Sequence, residues 1–339
     1  MKIFVCLILR LFAVRRYFKM EGRTLASRTS QTSRRSSPFQ TSSQTEEGWT
    51  LPCDGRHPIH WSGRTLVVGI LNLTPDSFSD GGRYLRPEAA LDRALQMQDE
   101  GADVIDVGGE TTRPGASKIS DAEEKRRVIP VLRLLARHVK IPLSIDTYKA
   151  SIAEAAVGEG ARILNDIGAL RLDPRMPKTA ARLKVPVVLM HMKGSPRTMQ
   201  KNPHYRDVVE EITVFFKERL RTAENAGVDL RNVILDPGFG FGKTPEHNLE
   251  LTKRLGEFRP LKRPLLFAAS RKSTLGLLLG GAPPEERLEA SLAVGVAAVL
   301  SGADLLRVHD VKETVRAVRI ADALRFLKRT ETRSDRSQP

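Results

Sequence analysis

The sequence predicts an α/β chain folded as a TIM (β/α)8 barrel with a disordered N-terminal extension. Three observations lead there: eight short apolar runs follow one another, helix-period segments separate them, and a basic, serine-rich leader precedes them all. Strands covered on both faces by crossover helices read as near-continuous apolar runs. Eight strand–helix units in about 265 residues fit one barrel with no second domain left over. A doubly wound sheet competes, but it wants a Gly-rich dinucleotide turn after the first strand, and here that turn reads NLTPDSFSDGG.

The leader comes first in the chain. Residues 1–19 hold an apolar run from Ile3 to Leu9 that Arg10, Arg15 and Arg16 cut short, too short to span a membrane. Residues 24–45 contain twelve Ser/Thr in twenty-two positions and no acid. An Arg-rich, Ser-rich, acid-poor leader has the composition of an organellar transit peptide. The plainer expectation is a disordered extension over 1–60, or an upstream start with Met20 or a later residue used instead. Cys53, His57 and His60 form a short metal-like cluster with no fourth ligand, so a solvated linker is expected there.

The strand candidates are 66–72, 104–108, 142–146, 163–166, 186–191, 233–236, 264–269 and 304–308, and the clearest helix candidates are 87–100, 121–138, 206–226, 246–258 and 311–328. Asp121 is the expected N-cap of its helix, with Glu124 as capping-box partner. The barrel domain is expected over 61–330, with a disordered tail at 331–339.

Composition closes off several function classes. At 40% hydrophobic and 28% charged the chain is near the globular average, which excludes a wholly disordered, collagenous or multi-span membrane protein. Two cysteines, Cys6 and Cys53, cannot build a disulfide scaffold and fit a reducing compartment. The net charge is +15, but residues 1–45 carry nine Lys/Arg against Glu21 alone, +8, which leaves +7 for the other 294 residues. That charge is not clustered with aromatics, so neither nucleic acid nor membrane is an expected partner.

In a barrel of this kind the active site lies at the C-terminal ends of the strands. Polar residues stand at every such end: Asn72; Glu110 to Arg113; Asp146 and Thr147; Asn165 and Asp166; His191; Asp236; Ser270 to Lys272; and Arg307, His309 and Asp310. Helix capping is the alternative for one or two of them, with Asp146, Thr147 and Asp310 as the candidates, and His191 reads better as a hydrogen-bonded core histidine. Eight ends together point to a polar ligand, since an unsatisfied buried polar group costs about 1–3 kcal/mol.

Asp146, Asn165 and Asp236 converge from one half of the mouth. Two carboxylates and an amide suit the guanidine-like edge of a 2-amino-pyrimidinone heterocycle. A glycosidase acid–base pair is the alternative, without an aromatic sugar platform. The other half is cationic, with Arg113, Lys272, Arg307 and His309, and suits a phosphate or diphosphate. Asn72, Thr74 and Asp76 could help hold Mg²⁺ on that anion. DPGFGFGKT is no Walker A loop: Gly238 to Gly242 is one residue short, and Pro237 stands where the first glycine belongs. Its glycines suggest a tight turn presenting Phe239 and Phe241 to the pocket.

GILNLTPDSFSDGG (69–82), DVGGETTRPGA (106–116), SIDT (144–147), ILNDI (163–167), LMHMKGSPRTMQ (189–200), ILDPGFGFGKT (234–244), SRKS (270–273) and RVHD (307–310) together resemble the bacterial dihydropteroate synthases. The resemblance runs from Leu66 to Leu327. It implies a folate-pathway transferase, a sulfonamide target, joining 4-aminobenzoate to dihydropterin-methyl diphosphate. By motif position, Asp146, Asn165, Asp236 and Lys272 would hold the pterin, with Asp146, Asp236 and Lys272 as the catalytic set. Thr112, Arg113, Pro114, Phe241, Lys272 and Ser273 would frame the aminobenzoate. Asn72, Arg307 and His309 would bind the diphosphate, with Mg²⁺ at Asn72, and a cytoplasmic homodimer is implied. A methyltransferase barrel with a cobalamin partner, or a non-catalytic pterin-binding protein, could share the pterin residues. Neither has use for the anion half.

Overall fold

The computed structural model describes residues 48–52, 58–74, 87–111 and 118–327. The expectations for residues 1–47 and 331–339, for Cys53, His57 and Asp76, and for Thr112, Arg113 and Pro114 lie outside the described residues.

Eight parallel strands form the sheet: β3 (Leu66–Asn72), β4 (Val104–Gly108), β5 (Leu143–Asp146), β6 (Ile163–Asp166), β7 (Val187–Met190), β8 (Val233–Asp236), β9 (Leu266–Phe267) and β10 (Leu305–Val308). Their spatial order is β8-β7-β6-β5-β4-β3-β10-β9. A parallel bridge from Leu235 to Leu265, with Leu235 N donating to Pro264 O at 2.9 Å, joins the two outer strands and closes the barrel. All eight expected strands form. β9 is the shortest, and Pro264 before it has no N–H to extend the ladder.

Nine α-helices lie among the described residues: α1 (Pro87–Asp99), α2 (Asp121–His138), α3 (Ala150–Gly158), α4 (Met176–Leu183), α5 (Val208–Asn225), α6 (Pro245–Lys253), α7 (Ser273–Leu278), α8 (Leu288–Leu300) and α9 (Val311–Arg325). Two expectations are corrected. The cap of α2 is Ser120, whose hydroxyl accepts from Glu123 N at 3.1 Å, so Asp121 is the first helical residue. The expected helix 246–258 ends at Lys253 and continues as a 3-10 turn, Leu255–Leu261. Arg254 leaves the helical region at φ −102° and ψ 15°, and Gly256, a poor helix former, follows within the expected span.

Side chains alternate between two cores, as the pleat requires. Ile105, Val107, Ile145, Leu164, Leu189 and Leu235 pack outward with the helices, while Val68, Val104, Ile163, Val188, Ile234 and Leu305 fill the barrel interior. The interior also receives two residues from the stretch expected to be an extension. β1 (Trp49–Leu51) and β2 (Ile59–Trp61) pair antiparallel, and Leu51 and Trp61 are buried in the same interior cluster. The barrel unit therefore begins before residue 60. His60 donates to or accepts from Thr50 across this pair at 2.8 Å, a hairpin role in place of a linker.

Candidate active site

The interior apolar positions continue upward into polar ones with the strand period of two. Val104 is followed by Asp106, Ile163 by Asn165, Ile234 by Asp236 and Leu305 by Arg307. The same alternation that fills the barrel floor thus aims four polar side chains at the upper interior.

Arg307 is the centre of this group. Its Nε donates to Asp106 Oδ2 at 2.6 Å and its other arm to Asp146 Oδ2 at 2.7 Å. Asn165 Nδ2 donates to the same Asp106 oxygen at 3.0 Å. Asp106 is the residue that sequence reasoning missed. It is 1% exposed, and its Oδ1 has no partner among the described residues. Asn72 and Asp146 flank Gly108, since a Cβ there would lie 3.6 Å from Asn72 Oδ1 and 3.6 Å from Asp146 Cβ. Burial pushes the Asp146 carboxyl above its ordinary value, and the Arg307 guanidinium pulls it back.

Across the mouth, Asp236 Oδ1 accepts from Gly238 N at 2.7 Å. Burial raises this carboxyl as well, opposed first by the Lys272 ammonium. Lys272 Nζ donates to Phe239 O at 2.6 Å and lies 4.6 Å from the Phe241 ring centroid. Burial lowers Lys272 to about 8. Phe239 itself does not face the pocket. Its ring is fully buried against Phe267, centroids 5.5 Å apart, and the backbone carbonyl is what reaches the site.

His309 Nδ1 lies 3.0 Å from Ser270 Oγ, which also accepts from His309 N at 3.1 Å. Burial, reinforced by Arg307, lowers this imidazole to about 3, so it is neutral at pH 7. Ser273 opens α7 and is exposed.

Several strand-end residues serve the fold. Asp166 accepts from Gly168 N and Leu170 N, both at 2.7 Å. Glu110 meets buried Lys149 at 2.7 Å, and Thr147 Oγ1 accepts from Lys149 N at 3.2 Å. Asp310 pairs with Arg271 Nε at 3.0 Å. His191 is buried with Nδ1 3.0 Å from Lys243 Nζ, a core histidine as expected.

A barrel mouth that gathers Asp106, Asp146 and Asn165 around Arg307, and sets Asp236 against Lys272 with a neutral imidazole nearby, defines a pterin-binding type of enzyme. The pterin binding enzyme family profile matches residues 68–309. The chain is 48% identical to dihydropteroate synthase of Escherichia coli K12 over 257 residues, covering 76% of this chain and 90% of that one. It is 45% identical to the Bacillus subtilis dihydropteroate synthase over 266 residues, 78% and 90% covered. The Xanthomonas albilineans dihydropteroate synthase solved with 4-aminobenzoic acid superposes with a TM-score of 0.77 at 45% identity, covering 83% of this chain and 100% of that one. The same enzyme in complex with 7,8-dihydropteroate gives 0.73 at 42% identity, covering 82% and 100%. The chain belongs to the dihydropteroate synthase family, transferases of folate biosynthesis.

Proposed function

We propose that the chain joins 4-aminobenzoate to (7,8-dihydropterin-6-yl)methyl diphosphate, forming 7,8-dihydropteroate and releasing diphosphate. The observation that carries this is the gathering of Asp146, Asn165 and Asp236 with Arg307, Lys272 and His309 at one barrel mouth, Arg307 bonded to Asp146 and Lys272 set against Asp236. The ligands named with the similar solved structures belong to this reaction.

The C–O bond between the pterin methylene and diphosphate breaks, and the leaving group takes the electron pair. Electron donation from the dihydropterin ring stabilises the carbon left behind. The arylamine nitrogen then forms the new C–N bond with its lone pair and passes its proton to solvent. Asp146 and Asp236 accept N–H bonds from the pterin and oppose the positive charge that grows on it toward the transition state. Binding a guanidine-like edge takes Asp146 away from Arg307, which then turns a donor arm to the departing diphosphate, beside neutral His309. Lys272, between the halves, offers its ammonium to either substrate. Phe241 and Ser273 frame the arylamine.

Asn72 presents one side-chain oxygen at the strand ends, next to Asp146 across Gly108. That donor set fits Mg²⁺ carried chiefly by the diphosphate and water, with Asn72 as its protein ligand. When bound, the ion neutralises charge on the leaving group.

We also propose a homodimer in the cytoplasm. Ile320, Leu324 and Leu327 are 65%, 62% and 77% exposed on and just after α9, at spacings that share one helix face. The two-cysteine composition suits the reducing setting.

Diphosphate release by the full chain with pterin diphosphate and Mg²⁺, with and without 4-aminobenzoate, tests the reaction. Release that depends on the arylamine, with dihydropteroate formed, is the expected result. Pterin binding without such release overturns it.

A further inference from the structure

Residues 237–243 form the connection after β8, and their backbone is tied to side chains almost group by group. Gly238 N is held by Asp236, Gly240 N by Asn248 Oδ1 at 2.8 Å, Gly240 O by Gln200 Nε2 at 2.5 Å, and Gly242 O by the Tyr205 hydroxyl at 2.8 Å. Gly238 and Gly242 have φ of +69° and +68°, and a Cβ on them would fall 1.9 Å from His191 O and 2.6 Å from Lys193 O. The loop is pressed onto the chain leaving β7, where only glycine fits.

One side chain inside the loop braces it. Lys243 is 3% exposed, and its Nζ reaches Gly238 O at 2.9 Å, Phe241 O at 3.2 Å and His191 Nδ1 at 3.0 Å. These contacts are two carbonyls and an imidazole, none of them a carboxylate. A buried amine without an anion in contact is a costly way to fasten a loop, and burial pulls this one far below its ordinary value. The two carbonyls it holds are that of Gly238, just before Phe239, and that of Phe241 itself. Phe239 gives Lys272 its carbonyl acceptor at 2.6 Å and Phe241 its ring neighbour at 4.6 Å.

We propose that Lys243 is a positioning residue for the arylamine half of the site: without touching substrate, it sets where the Phe241 ring and the Phe239 carbonyl stand against Lys272. The assignment of an arylamine half rests on the proposed reaction. Lys243 faces His191 and Lys193 from the β7 side, Asp236 at the end of β8 and Lys272 before α7.

The test is Lys243→Met in the full chain, which keeps length and removes the donors. Two readouts are used: steady-state kinetics, and amide exchange of residues 237–244 without substrate. The KM for 4-aminobenzoate rises about tenfold while kcat changes less than about threefold, and exchange in the loop is about tenfold faster. A merely structural role would lower the melting temperature and leave that KM alone. An unchanged KM overturns the proposal whatever exchange does. If Lys243→Met does not fold, Lys243→Leu, which also fills the space without a donor, is judged by the same KM. If the unaltered chain shows no arylamine-dependent diphosphate release, the reaction assignment is what has failed. Exchange then decides the bracing by itself, and unchanged exchange overturns it.

Discussion

Arg307 Nε donates to Asp106 Oδ2 across 2.6 Å, joining the last barrel strand to the second. The same guanidinium holds Asp146 at 2.7 Å, so one cation offsets two carboxylates inside the barrel. Arg307 was read from the sequence as an anion ligand. In the structure it belongs to the heterocycle half, and in the proposed reaction it serves both in turn.

Removing that cation leaves the two carboxylates uncompensated. Arg307→Met is expected to lower stability by about 3 kcal/mol at pH 8, the loss typical of breaking a buried pair. Burial already raises the Asp146 carboxyl, and without its cation the native pKa stays above the unfolded one, so the native state binds more protons and stability falls as pH rises through that window. The deficit against the unaltered chain is therefore smaller at pH 5 than at pH 8. Urea unfolding at both values checks this, and adding Asp106→Asn should restore part of the loss.

Lys272 governs the alkaline side of the activity. Burial lowers it from 10.5 to about 8, so the free enzyme loses this ammonium as pH rises through about 8. A kcat/KM profile for pterin diphosphate reports the free enzyme, and it is expected to fall above that value. Lys272→Arg, whose guanidinium stays charged, should move the limb beyond the accessible range even where it lowers the plateau. The sign for stability is opposite. Between about 8 and 10.5 the unfolded chain holds the extra proton, so this group's contribution to stability increases with pH there.

Asp236→Asn keeps the shape of the side chain and an oxygen for Gly238 N, but removes the charge. The proposed role is greatest in the transition state, so kcat is expected to fall by about 10²–10³-fold. The melting temperature should change little, because burial already raises this carboxyl and works against its charge. An unchanged kcat would take Asp236 out of the mechanism.

These residues differ in how visible they were in the sequence. Asp146, Asn165 and Asp236 end short apolar runs, where a polar residue has no packing role, and the strand period alone exposed them. Asp106 sits inside VIDVG, two positions before its strand ends, and a mid-strand Asp reads as an interruption unless the inward face is followed down from the mouth. Lys243 was hidden by the Walker-like spelling around it, which drew the reading to glycine spacing and away from what a buried lysine would bond. The hairpin of β1 and β2 escaped because two three-residue strands carry too little periodicity to stand out. Their partners are each other and the barrel floor, a contact set by tertiary packing.

That floor gives the last prediction. Trp61 is 5% exposed and packs in one cluster with Leu66, Val104, Ile163 and Leu305, the residues that begin β3, β4, β6 and β10. It lies at the N-terminal ends of the strands, opposite the catalytic mouth. Trp61→Ala removes a large buried side chain from a site that cannot close without moving the barrel ends, and should lower stability by about 3–5 kcal/mol. KM and kcat per folded molecule should remain as in the unaltered chain when measured well below the new melting temperature. Denaturant unfolding gives the first quantity, and turnover normalised to folded protein gives the second. A drop in kcat with stability intact would mean that the hairpin acts on the site through the barrel, and a loss below 1 kcal/mol would mean that the floor is sealed without it.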